Sequence, residues 1–67
     1  MIGLKHLRLA LNKSQVQVAE EAGITVAYYN MLEVGKRQNP TQPVILALAK
    51  ALHCSIDDLY REEPANG

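Results

Sequence analysis

Gln15-Val16-Gln17-Val18-Ala19-Glu20-Glu21-Ala22-Gly23-Ile24-Thr25 is the stretch whose reading decides the fold. Residues 15–22 favour a helix, and Val18 and Ala22 stand four apart, the spacing that places two side chains on one helical face. Gly23 stops this helix, since a residue without Cβ enters the left-handed region without strain. Thr25 has a hydroxyl able to accept a free backbone N–H, so a new helix starts almost at once. Two helices crossing steeply through so short a turn nearly touch. Ala19 lies on the crossing side, where a small side chain permits the approach. Ile24 and Leu32 are placed to plug the angle between them.

Working outward, the same rules predict three more helices. Leu4, Leu7 and Leu11 mark one face of a first helix, which Asn12 and Lys13 interrupt. Ser14 caps the second helix. The third runs from about Val26 to Val34, with Tyr29 and Leu32 at i, i+3 and Tyr28 and Leu32 at i, i+4; Gly35 ends it. Lys36 to Pro40 is a loop by composition. Thr41 caps a fourth helix, with Pro43 in its first turn, where a missing N–H costs little. Ile45, Leu48, Ala49 and Leu52 give that helix an apolar stripe. Ser55 caps a short fifth helix through Leu59 and Tyr60. The expectation is an all-α, five-helix bundle over residues 1–61, without repeats or linkers. Residues 62–67, polar and ending in Pro64-Ala65-Asn66-Gly67, read as a fraying tail.

Composition narrows the function classes. At 67 residues the chain is one domain, with little material for a deep catalytic cavity. It is 48% hydrophobic, which fits a globular domain. It lacks Trp and Phe, so its core is aliphatic and Ala-rich. A single cysteine, Cys54, forms no internal disulfide framework and fits a reducing cytoplasm. No apolar run approaches a membrane span, and the start reads as no signal peptide. His6 and His53 lack metal-ligand spacing. Cys54 beside His53 has neither a third group nor an oxyanion loop, so the pair reads as structural or interfacial. Neither an enzyme, nor a cofactor, nor a small-molecule ligand is expected.

Charge is neutral in total but uneven. Residues 57–67 hold Asp57, Asp58, Glu62 and Glu63 against Arg61, a balance of −3, which leaves +3 on residues 1–56. Lys5, Arg8 and Lys13 meet no acid before Glu20, and Lys36-Arg37 make a second basic spot. Local charge matters more than the total within a Debye length of about 8 Å. The pattern allows a mildly basic face. Glu20-Glu21 and Asp57-Asp58, as adjacent residues, read as solvated.

A helix, tight turn and second helix of this kind form a helix-turn-helix, which holds its second helix out for the major groove of DNA. Across residues 4 to 60 the chain resembles the DNA-binding domain of the phage repressor and Cro type, the xenobiotic-response-element family, whose fold is the lambda-repressor-like bundle. The matching elements are Leu7-Arg8, Ser14-Gln15, Ala19, Gly23, Glu33, Gly35-Lys36-Arg37, Pro40, Ala49-Lys50-Ala51-Leu52 and Ser55-Ile56-Asp57-Asp58-Leu59.

The resemblance implies roles residue by residue. Gln15, at a helix start with free N–H groups, falls at a phosphate-binding position. Lys36 and Arg37 are backbone clamps, and Thr25 and Tyr28 contact phosphate or sugar at the rim. Val26, Ala27, Asn30 and Met31 fall at base-reading positions. No Arg, Lys or Gln stands among them, so the commonest guanine contact is missing; Asn30 suits adenine, and Val26 and Ala27 suit thymine methyls. Arg8 and Glu33 are ion-pair partners that aim the recognition helix. His53, Cys54, Ser55, Ile56 and Asp58 fall at the dimer contact, so a homodimer on a palindromic operator is implied.

The chain also departs from the family pattern. Lys13 stands where a large apolar residue is usual, and Leu9, Leu11 and Val16 replace residues that are usually charged. Ile2 and Leu9 point away from the first helix's inner face, either as scattered apolar residues or as a second contact surface. The reading is therefore a cytoplasmic, nucleoid-associated regulator of bacterial or phage origin, binding double-stranded DNA. Its alternative is a protein-binding module, such as an antitoxin, on the same fold. A toxin chain or the polymerase would then be its protein partner.

Overall fold

Three hydroxyls start three of the helices. In the computed structural model, which describes residues 1–61, Ser14 Oγ accepts the Gln17 N–H at 3.0 Å and Thr25 Oγ1 accepts the Tyr28 N–H at 3.1 Å. Ser55 Oγ accepts the Asp58 N–H, and Asp58 returns the bond to the Ser55 N–H, each at 3.2 Å, a reciprocal capping box. The elements are α1 (Leu4–Ala10), α2 (Gln15–Ala22), α3 (Val26–Val34), α4 (Gln42–Ala51) and α5 (Ile56–Leu59). The described residues contain no strand. The described residues thus form an all-helical bundle of five helices.

Gly23 closes α2 at φ 74°, and its N–H reaches back to Ala19 O and Glu20 O. This corner sets α3 across α2. Ala19 is fully buried at the crossing, and Leu32 plugs the angle with Ile24 partly buried beside it. Helix α2 packs on both α3 and α4, α5 packs on α4, and α1 packs on α3. Leu4, Val18, Ala19, Tyr29, Leu32, Leu48 and Leu59 have no exposed surface. This core has one face of α3 inside it and leaves the other free.

Three local expectations are corrected. The i, i+3, i+7 spacing places Leu11 on the inner face of the first helix. That helix ends at Ala10, and Leu11 is its C-cap, 38% exposed. Asn12 follows at φ 58°, turning the chain away before Leu11 can reach the core. Thr41 occupies the N-cap of α4 but makes no side-chain cap bond. Pro43 at N2 removes one of the two N–H groups that a cap hydroxyl accepts from. Tyr60 is the C-cap of α5 rather than part of it. The expected fraying of residues 62–67 lies outside the described residues.

The first residues are tied in by contacts that no periodicity announces. The Gly3 N–H donates to Leu59 O at 2.9 Å, and a Cβ on Gly3 would collide with Asp58 O. Glycine is therefore required there for close approach. Met1 is buried, and its amino group donates to Leu32 O at 3.1 Å.

Candidate nucleic-acid interface

Arg8 and Glu33 meet through two parallel bonds, Nε to Oε2 at 2.8 Å and Nη2 to Oε1 at 3.1 Å. Their side chains are 11% and 5% exposed. Arg8 also donates from Nη1 to Lys13 O at 3.0 Å, which locks the guanidinium against the turn after α1. Tyr29, one helical turn before Glu33 on α3, donates its hydroxyl to Oε2 at 2.8 Å. Gln15, at the start of α2, donates Nε2–H to Oε1 at 2.8 Å. One carboxylate thus collects donors from α1, α2 and α3.

Burial would push the Glu33 carboxyl up. Hydrogen bonds from Arg8, Gln15 and Tyr29, with the charge of Arg8, outweigh burial and hold it below its ordinary value. The Glu33 hydrogen bond likewise raises Arg8. The Tyr29 phenol is pushed up, first by burial and then by donating to Glu33.

The outward face of α3 carries the residues that the family resemblance reads as base contacts. Val26, Ala27 and Asn30 are exposed, and Met31 is half-buried. Asn30 Nδ2 lies 3.4 Å from Gln15 Oε1, so a position of the phosphate set touches one of the reading set. Thr25 is exposed; its oxygen is engaged in the cap, while its hydroxyl hydrogen is free to donate outward. Tyr28 is half-buried, and the Arg37 guanidinium lies 6.0 Å from its ring centroid, a cation–π contact between two positions read as backbone clamps. Lys36 and Arg37 are exposed in the loop after α3, which Asn39 turns at φ 58° before buried Pro40.

The basic face read from Lys5, Arg8 and Lys13 is smaller than expected. Arg8 is committed to Glu33. Lys13 donates to Glu21 Oε1 at 2.7 Å and to Ala51 O at 3.0 Å, joining the α1–α2 turn to the end of α4. Glu21 is exposed, as its solvated reading expected, and is also an ion-pair partner, held below its ordinary value by Lys13. Lys5 remains exposed. A lysine where an apolar residue was expected thus works as a clamp between turns.

At the α4–α5 corner, His53, Ser55 and Ile56 are exposed, and Cys54 and Asp58 are half-buried. Ile56 is 37% exposed. Burial, with nearby Asp58, raises the Cys54 thiol. His53 adopts φ 54°, a left-handed conformation. Ile2 and Leu9 are both 53% exposed; Ile2 shares a shallow groove with Val34 and Tyr60, and Leu9 does not line it. Among the described residues there is no cluster of His, Cys, Asp and Glu able to hold a metal ion. No helix among them is long and apolar enough to cross a membrane.

Sequence reading missed the Tyr29 hydroxyl, the Gln15 link to Glu33 and the Lys13 clamp. Only the first had a signal, the i, i+4 spacing of Tyr29 and Glu33.

This bundle, with a glycine corner between α2 and α3 and a free outward face on α3, defines a DNA-binding helix-turn-helix domain. A helix-turn-helix family model matches residues 4–59, and the chain belongs to this lambda-repressor-like family. The chain is similar to the cryptic phage CTXphi transcriptional repressor RstR of Vibrio cholerae serotype O1 (strain ATCC 39315 / El Tor Inaba N16961). They are 41% identical over 56 residues, which cover 84% of this chain and 49% of RstR. The chain spans about half the length of that relative. No solved structure matches it.

Proposed function

We propose that this chain regulates transcription by occupying a palindromic operator as a homodimer, with α3 of each copy in the major groove. The observation that carries this reading is the two-sidedness of α3. Tyr29 and Leu32 are locked into the core and Glu33 is bonded to three elements, while Val26, Ala27 and Asn30 lie on the exposed side of the helix. A rigid rod with one free face is what groove reading requires. The name of RstR, a phage transcriptional repressor, supports repression as the sign of regulation, with a place of action on a phage or bacterial genome in the cytoplasm.

Two sets of residues divide the work. Gln15, Thr25, Tyr28, Lys36 and Arg37 hold phosphate or sugar and set the register. Val26 and Ala27 meet thymine methyls, Asn30 pairs with adenine, and Met31 fills the groove beside them, giving an A·T-leaning preference. One domain makes too few contacts for a specific site; a second copy, joined through His53, Cys54, Ser55, Ile56 and Asp58, doubles them.

The test is selection of binding sites from random DNA, followed by titration of the selected site and of scrambled DNA. An A·T-leaning palindrome with half-sites one helical turn apart is the expected result. Absence of any preference for DNA at low salt sinks the reading. A protein-binding role would then take its place, favoured by the apolar surface that Ile2 shares with Val34 and Tyr60. Capture of a toxin chain or of polymerase, abolished by Ile2→Glu, would establish it.

A further inference from the structure

We infer that Tyr28 is a positioning residue for Arg37: its ring is the platform that carries the Arg37 guanidinium along with α3. The inference rests on Arg37 holding a backbone phosphate, as proposed above, and gives Tyr28 its part in that contact through the ring rather than the hydroxyl. Charge shows why a platform matters. Residues 15–34, which hold α2 and α3, contain Glu20, Glu21 and Glu33 and neither lysine nor arginine, a balance of −3. On the side before α2, Arg8 is bonded to Glu33 and Lys13 to Glu21. A polyanion repels such a unit unless cations stand within about a Debye length, roughly 8 Å. The cations next to α3 in sequence are Lys36 and Arg37, in the loop that follows it.

A loop arginine is a poor clamp unless something holds it. Arg37 is held to α3 at two points. Its backbone N–H donates to Met31 O at 3.1 Å, and its guanidinium carbon lies 6.0 Å from the centre of the Tyr28 ring. Tyr28 and Met31 are three apart on α3, so they are neighbours on its surface. Tyr28 is itself anchored. It is half-buried against the core, and its N–H is engaged in the Thr25 cap at 3.1 Å. Arg37 is exposed, and a guanidinium drawn to a ring by its face keeps its N–H edge open to a phosphate oxygen. The planar guanidinium suits this arrangement; an ammonium on a flexible stem has no flat face to lay on the ring. A side chain already held in its binding orientation loses less freedom when it binds. The charge of Arg37 thus travels with α3, which fixes where a phosphate sits relative to the reading face.

The experiment titrates the selected operator and scrambled DNA at several salt concentrations, with wild type, Tyr28→Phe, Tyr28→Leu, Arg37→Ala and the double variant that joins the last two. Phenylalanine keeps the ring and removes the hydroxyl; leucine keeps apolar bulk against the core and removes the ring. Arg37→Ala should weaken every sequence alike and lower the salt slope by about 1 for each Arg37 in contact. Tyr28→Leu should weaken every sequence by about 2- to 5-fold per copy, the range for an exposed cation–π contact, and Tyr28→Phe should bind close to wild type. Once Arg37 is alanine, Tyr28→Leu should add no further loss. Without DNA, the side-chain proton resonances of Arg37 should carry the ring-current shift of a nearby aromatic face in wild type and Tyr28→Phe, and lose it in Tyr28→Leu. Tyr28→Phe binding as weakly as Tyr28→Leu overturns the inference in favour of a hydroxyl contact, and a further loss in the double variant overturns it too. Absence of the ring-current shift in the wild type overturns it at the contact itself, whether or not the leucine variant folds. If the shift is present but Arg37→Ala leaves affinity and salt slope unchanged, the phosphate assignment has failed, and the positioning role of Tyr28 falls with it.

Discussion

Arg8 and Glu33, 25 residues apart in sequence, form a two-point ion pair with both side chains almost wholly out of water. The pair bolts the end of α1 to the last turn of α3. Leaving either charge buried alone is expensive, on the order of 3–5 kcal/mol. Arg8→Ala and Glu33→Ala should each lose stability of that order in urea unfolding. The double variant should lose much less than the sum, because no orphan charge remains. Additive losses would mean that the two groups are not coupled.

The Glu33 carboxyl also sets an acid limit. Its pKa is below its ordinary value in the folded chain, so between the two values the folded form holds fewer protons than the unfolded form. The stability it contributes is present above the unfolded value, about 4.3, and is lost as pH falls through the folded one. Urea midpoints measured from pH 7 down to 3 should fall, and Glu33→Gln should flatten that fall.

Tyr29 gives the opposite limit. Its phenol is raised, so its contribution is complete below the unfolded value of about 10 and is lost as pH climbs above it. Tyr29→Phe should remove this alkaline loss. At neutral pH it should cost about 1.5–3 kcal/mol, as for a hydrogen bond to a charged group. An unchanged stability at pH 7 would show that the hydroxyl bond contributes nothing.

Ile56 is the apolar residue of the proposed dimer contact, 37% exposed at the start of α5. Ile56→Asp would bring like charges together across a two-fold axis. Sedimentation should then show a dimer for the wild type and a monomer for the variant. A dimer that survives the change would move the contact elsewhere, with Ile2 and Leu9 next to be tested.

His53 at φ 54° bears left-handed strain that histidine tolerates less well than glycine. Relief of about 1–2 kcal/mol from removing Cβ strain is offset by glycine's greater unfolded entropy, about 0.5–1 kcal/mol. His53→Gly should therefore raise stability slightly, read as a higher thermal midpoint. A lower midpoint would show that the imidazole makes up for its strain.

Much of this was legible in the residues. Ser14, Thr25 and Ser55 cap helices because a hydroxyl beside a free N–H is a local event, and Gly23 turns the corner for an equally local reason. Ala19 and Leu32 are buried where the short turn requires them. Leu11 failed because a periodic pattern does not say where its helix stops. The positions of the candidate interface come from family resemblance, since their order along the chain carries them. Their mutual contacts were not.

The sequence by itself determined the five helices of the described residues, the caps at Ser14, Thr25 and Ser55, and the crossing of α2 and α3, because each depends on neighbours a few positions away. Tertiary structure alone decided that Glu33 gathers Arg8, Gln15 and Tyr29, that Lys13 clamps Glu21 and Ala51 O, that Gly3 lies against α5, and that Gln15 faces Asn30. Hydrogen bonds reach about 3 Å and depend on direction. Whether residues 15 and 30 fall within that reach depends on how α2 and α3 settle against a shared core, which no local pattern encodes.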